Sequence, residues 1–324
     1  MRLGCAPGAV HRDVSPFITA LDQAAFHQEL ERLCISEWQC GAPEDVRVEP
    51  LRAHRRRCTL EITLTTESGA VPLIGKVYAD DRSDVFGAMC ALIRTGFGRE
   101  SECSIPQPFA WLPALGVRLE EKIEGRSVNE VIRTGSPGEC TTAAERCGQW
   151  LGRFHRAAPR PVNGHDLVAK LAHNRAATAR MTSLRPKAEA VLRRLDEDVP
   201  LATTVPRCAG HGSYIPDHII LSGRRTAVID LDEYDAADPS RDVAWFLVAL
   251  RRRAIQLLGS RHALDGAADA FVHAYIASGP PDALANLRLY RALACLGRAR
   301  RDLYKHRPEL AEFMVDEALH LMSG

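Results

Sequence analysis

The residues whose types and spacing could do chemistry lie in one stretch. His211-Gly212-Ser213 is followed by Asp217 and His218, then by the apolar run Ile219-Ile220-Leu221. A turn at Ser222-Gly223-Arg224-Arg225 leads into Val228-Ile229-Asp230-Leu231-Asp232. Two short apolar runs about such a turn predict a hairpin. Alternation along its second strand predicts that Asp230 and Asp232 face the same side. Two carboxylates at a strand end suit a hard cation such as Mg²⁺, which takes oxygen ligands. His218 has two readings. As a metal ligand, its imidazole would shift the preference toward Zn²⁺ or Mn²⁺. Otherwise it is a histidine hydrogen-bonded within its loop. Ser213 offers a hydroxyl, which is no base near neutral pH unless another group activates it. Asp217 is a substitute base on one reading and a polar turn residue after Pro216 on the other.

Other elements must carry this stretch. Val46–Leu51, Cys58–Thr65 and Pro72–Tyr78 read as three strands, the second with strict period-two alternation. Pro106–Trp111 and Val117–Lys122 read as two more. Lys76 lies in the third strand and on residue type alone would be an edge-strand lysine in water. Arg52 to Arg57 form a basic turn, which either binds phosphate through guanidinium groups or is solvated. Residues 1–14 lack periodicity, and Ser15-Pro16 opens a helix running through Leu33. Ser83–Thr95 is predicted helical. The second half is a series of helices: Cys140–Arg156, 164–180, 184–197, Pro239–Leu250, Ala263–Ala277, Pro281–Asp302 and Pro308–Met322. Ser127 is placed to cap a short helix. The helices at 164–180 hold Asp166, His173, Asn174 and Arg175, none singled out by spacing.

The central stretch resembles the loop of the aminoglycoside phosphotransferase and choline kinase family. That loop reads H-G-D-x-x-x-x-N, then I-D-[FW]-[DE], then D-P-x-x-D. The matches here are His211, Gly212, Asp230, Asp232 and Asp238-Pro239-Ser240-Arg241-Asp242. Ser213 stands where the family has its catalytic Asp, and His218 where it has a metal-binding Asn. The resemblance implies an α+β, protein-kinase-like two-lobe fold, with a small antiparallel-sheet N-lobe and a larger, mostly helical C-lobe. It implies an N-terminal extension at 1–45, an N-lobe at 46–123 and a C-lobe at 124–324 that contains the catalytic-loop hairpin 207–232.

The same resemblance assigns roles. Ser213, Asp217 and His211 occupy the catalytic loop, with His211 bracing its backbone. Asp230, Asp232 and His218 are the metal candidates. Lys76 would pair with nucleotide phosphates. Arg55 and Arg57 stand where kinases often carry a G-x-G-x-x-G loop. Glu121 and Ile123 fall in the hinge, whose backbone holds adenine. Asp242 would accept backbone N–H groups of the catalytic loop, and His155 is a packed structural histidine. The helix that normally supplies a Glu to the strand lysine holds only Asp84. The cofactors implied are ATP or GTP with Mg²⁺, or with Mn²⁺ as the alternative.

Three functions follow. One is a phosphotransferase acting on a hydroxyl of a small molecule or on Ser/Thr of a peptide. The second is a pseudokinase that scaffolds a protein partner. The third is other nucleotide chemistry, such as nucleotidyl transfer.

Composition narrows the partners. The chain has 324 residues, 46% apolar and 26% charged, with 42 basic and 41 acidic side chains. A net charge of +1 generates no field to draw nucleic acid or an anionic membrane. No apolar stretch follows Met1, so no secretory leader is expected. The longest apolar run, Val243–Leu250, is too short to span a bilayer. Ten cysteines occur with no C-x-x-C pair, which predicts buried thiols, no zinc site and a cytoplasmic location.

Overall fold

Alternation in the first half of the chain does what period two dictates. The structure, a computed structural model, describes residues 2–3, 23–53, 56–164, 167–178 and 181–323. It divides into two units: residues 1–100 with 105–124, and residues 101–104 with 125–324. In the first unit β1 (Arg2–Leu3) precedes helix α1 (Gln23–Ser36), β2 (Asp45–Ala53), β3 (Arg57–Thr66), β4 (Gly69–Tyr78) and α2 (Ser83–Leu92). After β5 (Cys103–Ser104), which belongs to the second unit, come β6 (Pro108–Leu112) and β7 (Val117–Glu121). The sheet order is β1-β2-β3-β4-β7-β6. Only the β1–β2 pair is parallel.

Leu60, Ile62, Leu64, Leu73, Val77, Val117 and Leu119 are buried in one core cluster with Phe26, Leu30, Leu33 and Cys34 of α1. The predicted start of that helix at Ser15-Pro16 lies outside the described residues. Lys76 aligns with Thr59 on one neighbouring strand and Arg118 on the other. It is only 5% exposed. This removes the alternative of Lys76 as an edge-strand lysine in water, because β4 is an interior strand.

Among the described residues the second unit holds two small sheets and eight α-helices. β8 (Arg126–Ser127) leads into α3 (Val128–Thr134), α4 (Pro137–Ala157), α5 (Leu167–Thr178) and α6 (Arg185–Asp198). Ser127 caps α3 by accepting the Glu130 N–H, and Ser136 and Glu139 form a capping box at α4. Next come β9 (Cys208–Gly210), β10 (Ile219–Ser222), β11 (Arg225–Val228) and β12 (Asp235–Ala237). Helices α7 (Ser240–Leu258), α8 (Asp265–Ser278), α9 (Leu287–Tyr304) and α10 (Pro308–Ser323) complete the unit. The predicted hairpin is β10–β11, in the sheet order β5-β11-β10-β8, and β9 pairs with β12.

One expectation fails here. The second hairpin strand ends at Val228, not at Asp232. Asp230 adopts a left-handed conformation (φ 66°, ψ 59°), and Leu231–Glu233 forms a 3₁₀ turn. Strand alternation therefore cannot set the directions of Asp230 and Asp232. Asp tolerates this region because its short polar side chain can hydrogen-bond locally.

Helices α4 and α8 meet at glycines. A Cβ on Gly148 would lie 2.3 Å from the Phe271 carbonyl oxygen. That close approach lets Tyr275 of α8 reach His155 of α4, at 2.8 Å. The nine cysteines among the described residues, at positions 34, 40, 58, 90, 103, 140, 147, 208 and 295, are free thiols. Among the described residues no helix is long and apolar enough to cross a membrane. Gly148→Val should overpack the α4–α8 contact and lower stability by about 1–3 kcal/mol or more. Urea unfolding would measure this, and an unchanged midpoint would contradict the close-packing argument.

Candidate active site

A buried carboxylate organises the loop. Asp242, in the first turn of α7, is 1% exposed. Its Oδ2 accepts the backbone N–H of His211 at 2.6 Å, and its Oδ1 accepts that of Gly212 at 3.0 Å. His155 Nε2 lies 3.4 Å from Oδ2, and Arg241 Nε lies 3.5 Å from Oδ1. Burial alone would raise this carboxyl's pKa, but Arg241 and then His155 outweigh it and hold it well below the usual carboxylate range. Arg241 is fixed in turn by a two-pronged pair with Asp235, at 2.7 and 2.6 Å. Gly212 has φ +78°, and a Cβ there would meet the Glu233 carbonyl oxygen at 2.5 Å. Only glycine fits that position. Tyr214 anchors the far side of the loop: its hydroxyl donates to the Cys147 carbonyl at 2.8 Å and its ring stacks on Trp150.

The polar residues of the loop gather around Ser213. His211 is fully buried. Its Nε2 donates to the Ile229 carbonyl at 3.0 Å, which leaves Nδ1 as the acceptor. Ser213 N–H points to that Nδ1 at 3.3 Å, and Ser213 Oγ lies 3.4 Å from it. Burial lowers the His211 pKa to about 4, against an opposing pull from Asp242. A base that weak does not activate a serine hydroxyl at neutral pH. Ser213 Oγ therefore gains no activating base from His211.

His218 closes the other side. Its Nδ1 lies 2.9 Å from the Ser213 carbonyl oxygen, and its Nε2 lies 3.5 Å from Asp230 Oδ2. Asp217 is turned elsewhere: Arg253 Nη2 donates to both of its oxygens at 2.9 Å. This finding removes the reason for assigning Asp217 as a base, since its carboxylate is engaged by a guanidinium of α7. Asp232 is 7% exposed in the 3₁₀ turn. Among the described residues no group of three His, Cys, Asp or Glu side chains gathers as a preformed metal cage. Asp230 and Asp232 remain a chemically suitable oxygen-donor set for a hard ion.

The nucleotide candidates of the first unit are placed differently from one another. Lys76 is buried in mid-sheet. Glu121 N–H donates to the Gln107 carbonyl at 2.9 Å, so a backbone contact from this residue to a base must come from its carbonyl. The Glu121 side chain accepts Gln107 N–H and pairs with Arg99 at 3.3 Å. Ile123 is nearly buried just beyond β7. Arg57 is the first residue of β3, opposite Tyr78, and Arg56 pairs with Asp80. Arg55 lies outside the described residues. Arg56 and Arg57 are thus each placed by the strands and Asp80, not free in a loop.

Several supporting residues carry no local signal in the sequence. Arg146 of α4 reaches the hairpin, donating to Thr226 Oγ1 at 3.1 Å and the Arg225 carbonyl at 2.7 Å. Arg253 holds Asp217, and Tyr275 holds His155. All three bonds join residues distant in sequence, and no motif spacing marks them.

Comparison with known proteins bears on the family and the fold. Residues 98–290 match the family model described as the phosphotransferase enzyme family. No curated protein matches the sequence. A thermostable mutant of aminoglycoside phosphotransferase APH(4)-Ia in its apo form is similar in structure, with TM-score 0.62, 13% identity, and coverage of 91% of this chain and 99% of that one. The choline kinase of Cryptosporidium parvum Iowa II has TM-score 0.62 at 10% identity, covering 91% and 95%. Amicoumacin kinase hAmiN, in complex with AMP-PNP, Ca²⁺ and Ami, has TM-score 0.58 at 14% identity, covering 90% and 96%. The fold is protein-kinase-like, α+β, with an antiparallel sheet in the N-terminal part and a helical C-terminal part.

The buried imidazole makes a pH prediction. The His211 pKa, about 4 in the folded chain, lies below its ordinary 6.5. The unfolded chain therefore binds the extra proton first. The contribution to stability is complete above that ordinary value and is lost as pH falls toward the folded one, by about 2–3 kcal/mol at about pH 4.5. Denaturant unfolding at about pH 7.5 and about pH 4.5 should show His211→Asn losing less stability on acidification than the wild type by that amount. Equal losses would contradict it.

Proposed function

The chain belongs to the phosphotransferase enzyme family, and from that premise we propose that it transfers the γ-phosphate of ATP or GTP to a hydroxyl of a small molecule. The observation that carries the reading is the loop 211–213, held at its backbone by Asp242 and flanked by Asp230. Phosphoryl transfer depends mainly on positioning and on neutralising charge, with little covalent work for the protein. Asp230 and Asp232 would hold a divalent cation, which neutralises phosphate charge when bound. Lys76 would pair with phosphate oxygens. The backbone of Glu121 and Ile123 would hold the base. The complex of amicoumacin kinase with AMP-PNP and Ca²⁺ supports nucleotide use with a divalent ion.

Ser213 sets the rate. It would donate or accept a hydrogen bond at the acceptor hydroxyl without removing its proton, which leaves the reaction without a positioned general base. Such a base is worth on the order of 10²–10⁴-fold, so turnover is expected to be slow by comparison with members that carry Asp. A Ser213→Asp variant should raise turnover toward that range, read as ADP release with a panel of hydroxyl acceptors.

The test that comes first is calorimetric binding of ATP and GTP with Mg²⁺, Mn²⁺ or chelator. Metal-dependent binding is expected in the wild type and should be lost in Asp230→Ala at an unchanged circular-dichroism spectrum. Binding that survives in Asp230→Ala would overturn the metal assignment. Absence of nucleotide binding at millimolar concentration would leave the pseudokinase, with a protein partner, as the better reading.

A further inference from the structure

The geometry points to a second binding site, in the helical unit and away from the loop at 211–218, that takes a small carboxylate carrying an apolar body. It is independent of the phosphotransferase reading. Helices α7, α8 and α9 line a cavity of about 330 Å³, within the range of roughly 300–1,000 Å³ usual for small-ligand pockets. Its apolar wall includes Leu247 and Leu250 of α7, Leu264 beside the start of α8, Val272 of α8 and Leu287 of α9. Its charged wall is Arg251, Arg261, Asp265, Asp269 and Arg291.

Helix α7 stands between this cavity and the loop. Asp242 holds the loop amides, Phe246 lies against Tyr214 with ring centroids 5.7 Å apart, and Arg253 holds Asp217. At about 3.6 residues per turn those three share one face of α7, and Leu247 and Arg251 fall on the opposite face. The cavity and the loop therefore use the same helix from two sides.

The charges of the wall select the ligand. Glu317, only 4% exposed, is shared by three guanidinium groups. Arg261 Nη2 donates to it at 2.8 Å, Arg251 Nε stands 3.4 Å away and Arg291 Nη2 stands 3.7 Å away. Arg251 has further partners, since its Nη1 donates to Asp265 at 2.9 Å and to the Arg261 carbonyl at 2.6 Å. Asp265 also meets His262 at 2.7 Å. Asp269 is exposed, so water and salt screen its carboxylate. Arg291 is the group left over. Its contact with Glu317 is longer than a hydrogen bond, and its Nε is buried with no hydrogen-bond partner. A buried donor is costly to leave unmade. The guanidinium fork matches both oxygens of a carboxylate, and the leucines with Val272 cover an apolar body.

The test uses the full chain and three probes of one shape and different charge: 3-phenylpropionate, 3-phenylpropionamide and 3-phenylpropylamine. By calorimetry the carboxylate should bind about tenfold or more tightly than the amide, and the ammonium most weakly. Arg291→Gln should remove that preference and leave amide binding unchanged. Val272→Trp, which fills the cavity and spares the guanidinium, should abolish binding of both. Circular dichroism checks the fold of each variant, and if Arg291→Gln does not fold, the wild-type preference and Val272→Trp decide. Tightest binding of the ammonium would overturn the assignment in favour of Asp269. Equal binding of all three probes, carboxylate binding that survives unweakened in either folded variant, or none at millimolar concentration would also overturn it.

Discussion

The backbone of the loop at 211–213 depends on one buried carboxylate. Asp242 accepts two successive backbone N–H groups, from His211 and Gly212. An isolated carboxylate in an apolar interior would be neutralised by taking up a proton. Arg241 and His155 prevent that, and each is secured by a further partner, Asp235 and Tyr275 respectively. Removing one member would leave a charge or a hydrogen-bonding group without its counterpart, the costly case for buried polar networks. The arrangement therefore behaves as a unit, and it fixes the loop backbone.

Once the backbone is fixed, hydrogen-bond chemistry decides what the side chains can do. The two histidines beside Ser213 are held by different carbonyls. His211 Nε2 donates to the Ile229 carbonyl, and its Nδ1 faces Ser213. His218 Nδ1 donates to the Ser213 carbonyl, and its Nε2 lies 3.5 Å from Asp230 Oδ2. One imidazole thus lies against the hydroxyl and the other against the carboxylate.

Much of the fold was legible. Cys58–Thr65 alternates strictly because one face of the sheet is covered by α1, and the hairpin at 219–228 was marked by Ser222-Gly223 between apolar runs. One error comes from treating local pattern as sufficient. Val228-Ile229 continues the apolar run and so extends the expected strand through Asp232, but Asp230 leaves the extended region. The strand order, with β7 beyond β4, buries Lys76 and removes the edge-strand alternative, which residue type alone cannot do. The contact that bears on the two readings of Asp217 joins it to Arg253, 36 positions away on another element.

The sequence by itself determined the elements, the chemistry available at Ser213, His218, Asp230 and Asp242, and the family, since periodicity and short motifs are local properties of the chain. Only the tertiary structure decided which carbonyl each histidine meets, what secures the bracing carboxylate and which carboxylate is tied to an arginine. Those outcomes depend on hydrogen bonds between residues far apart in sequence. Such bonds exist only after helices and strands have packed.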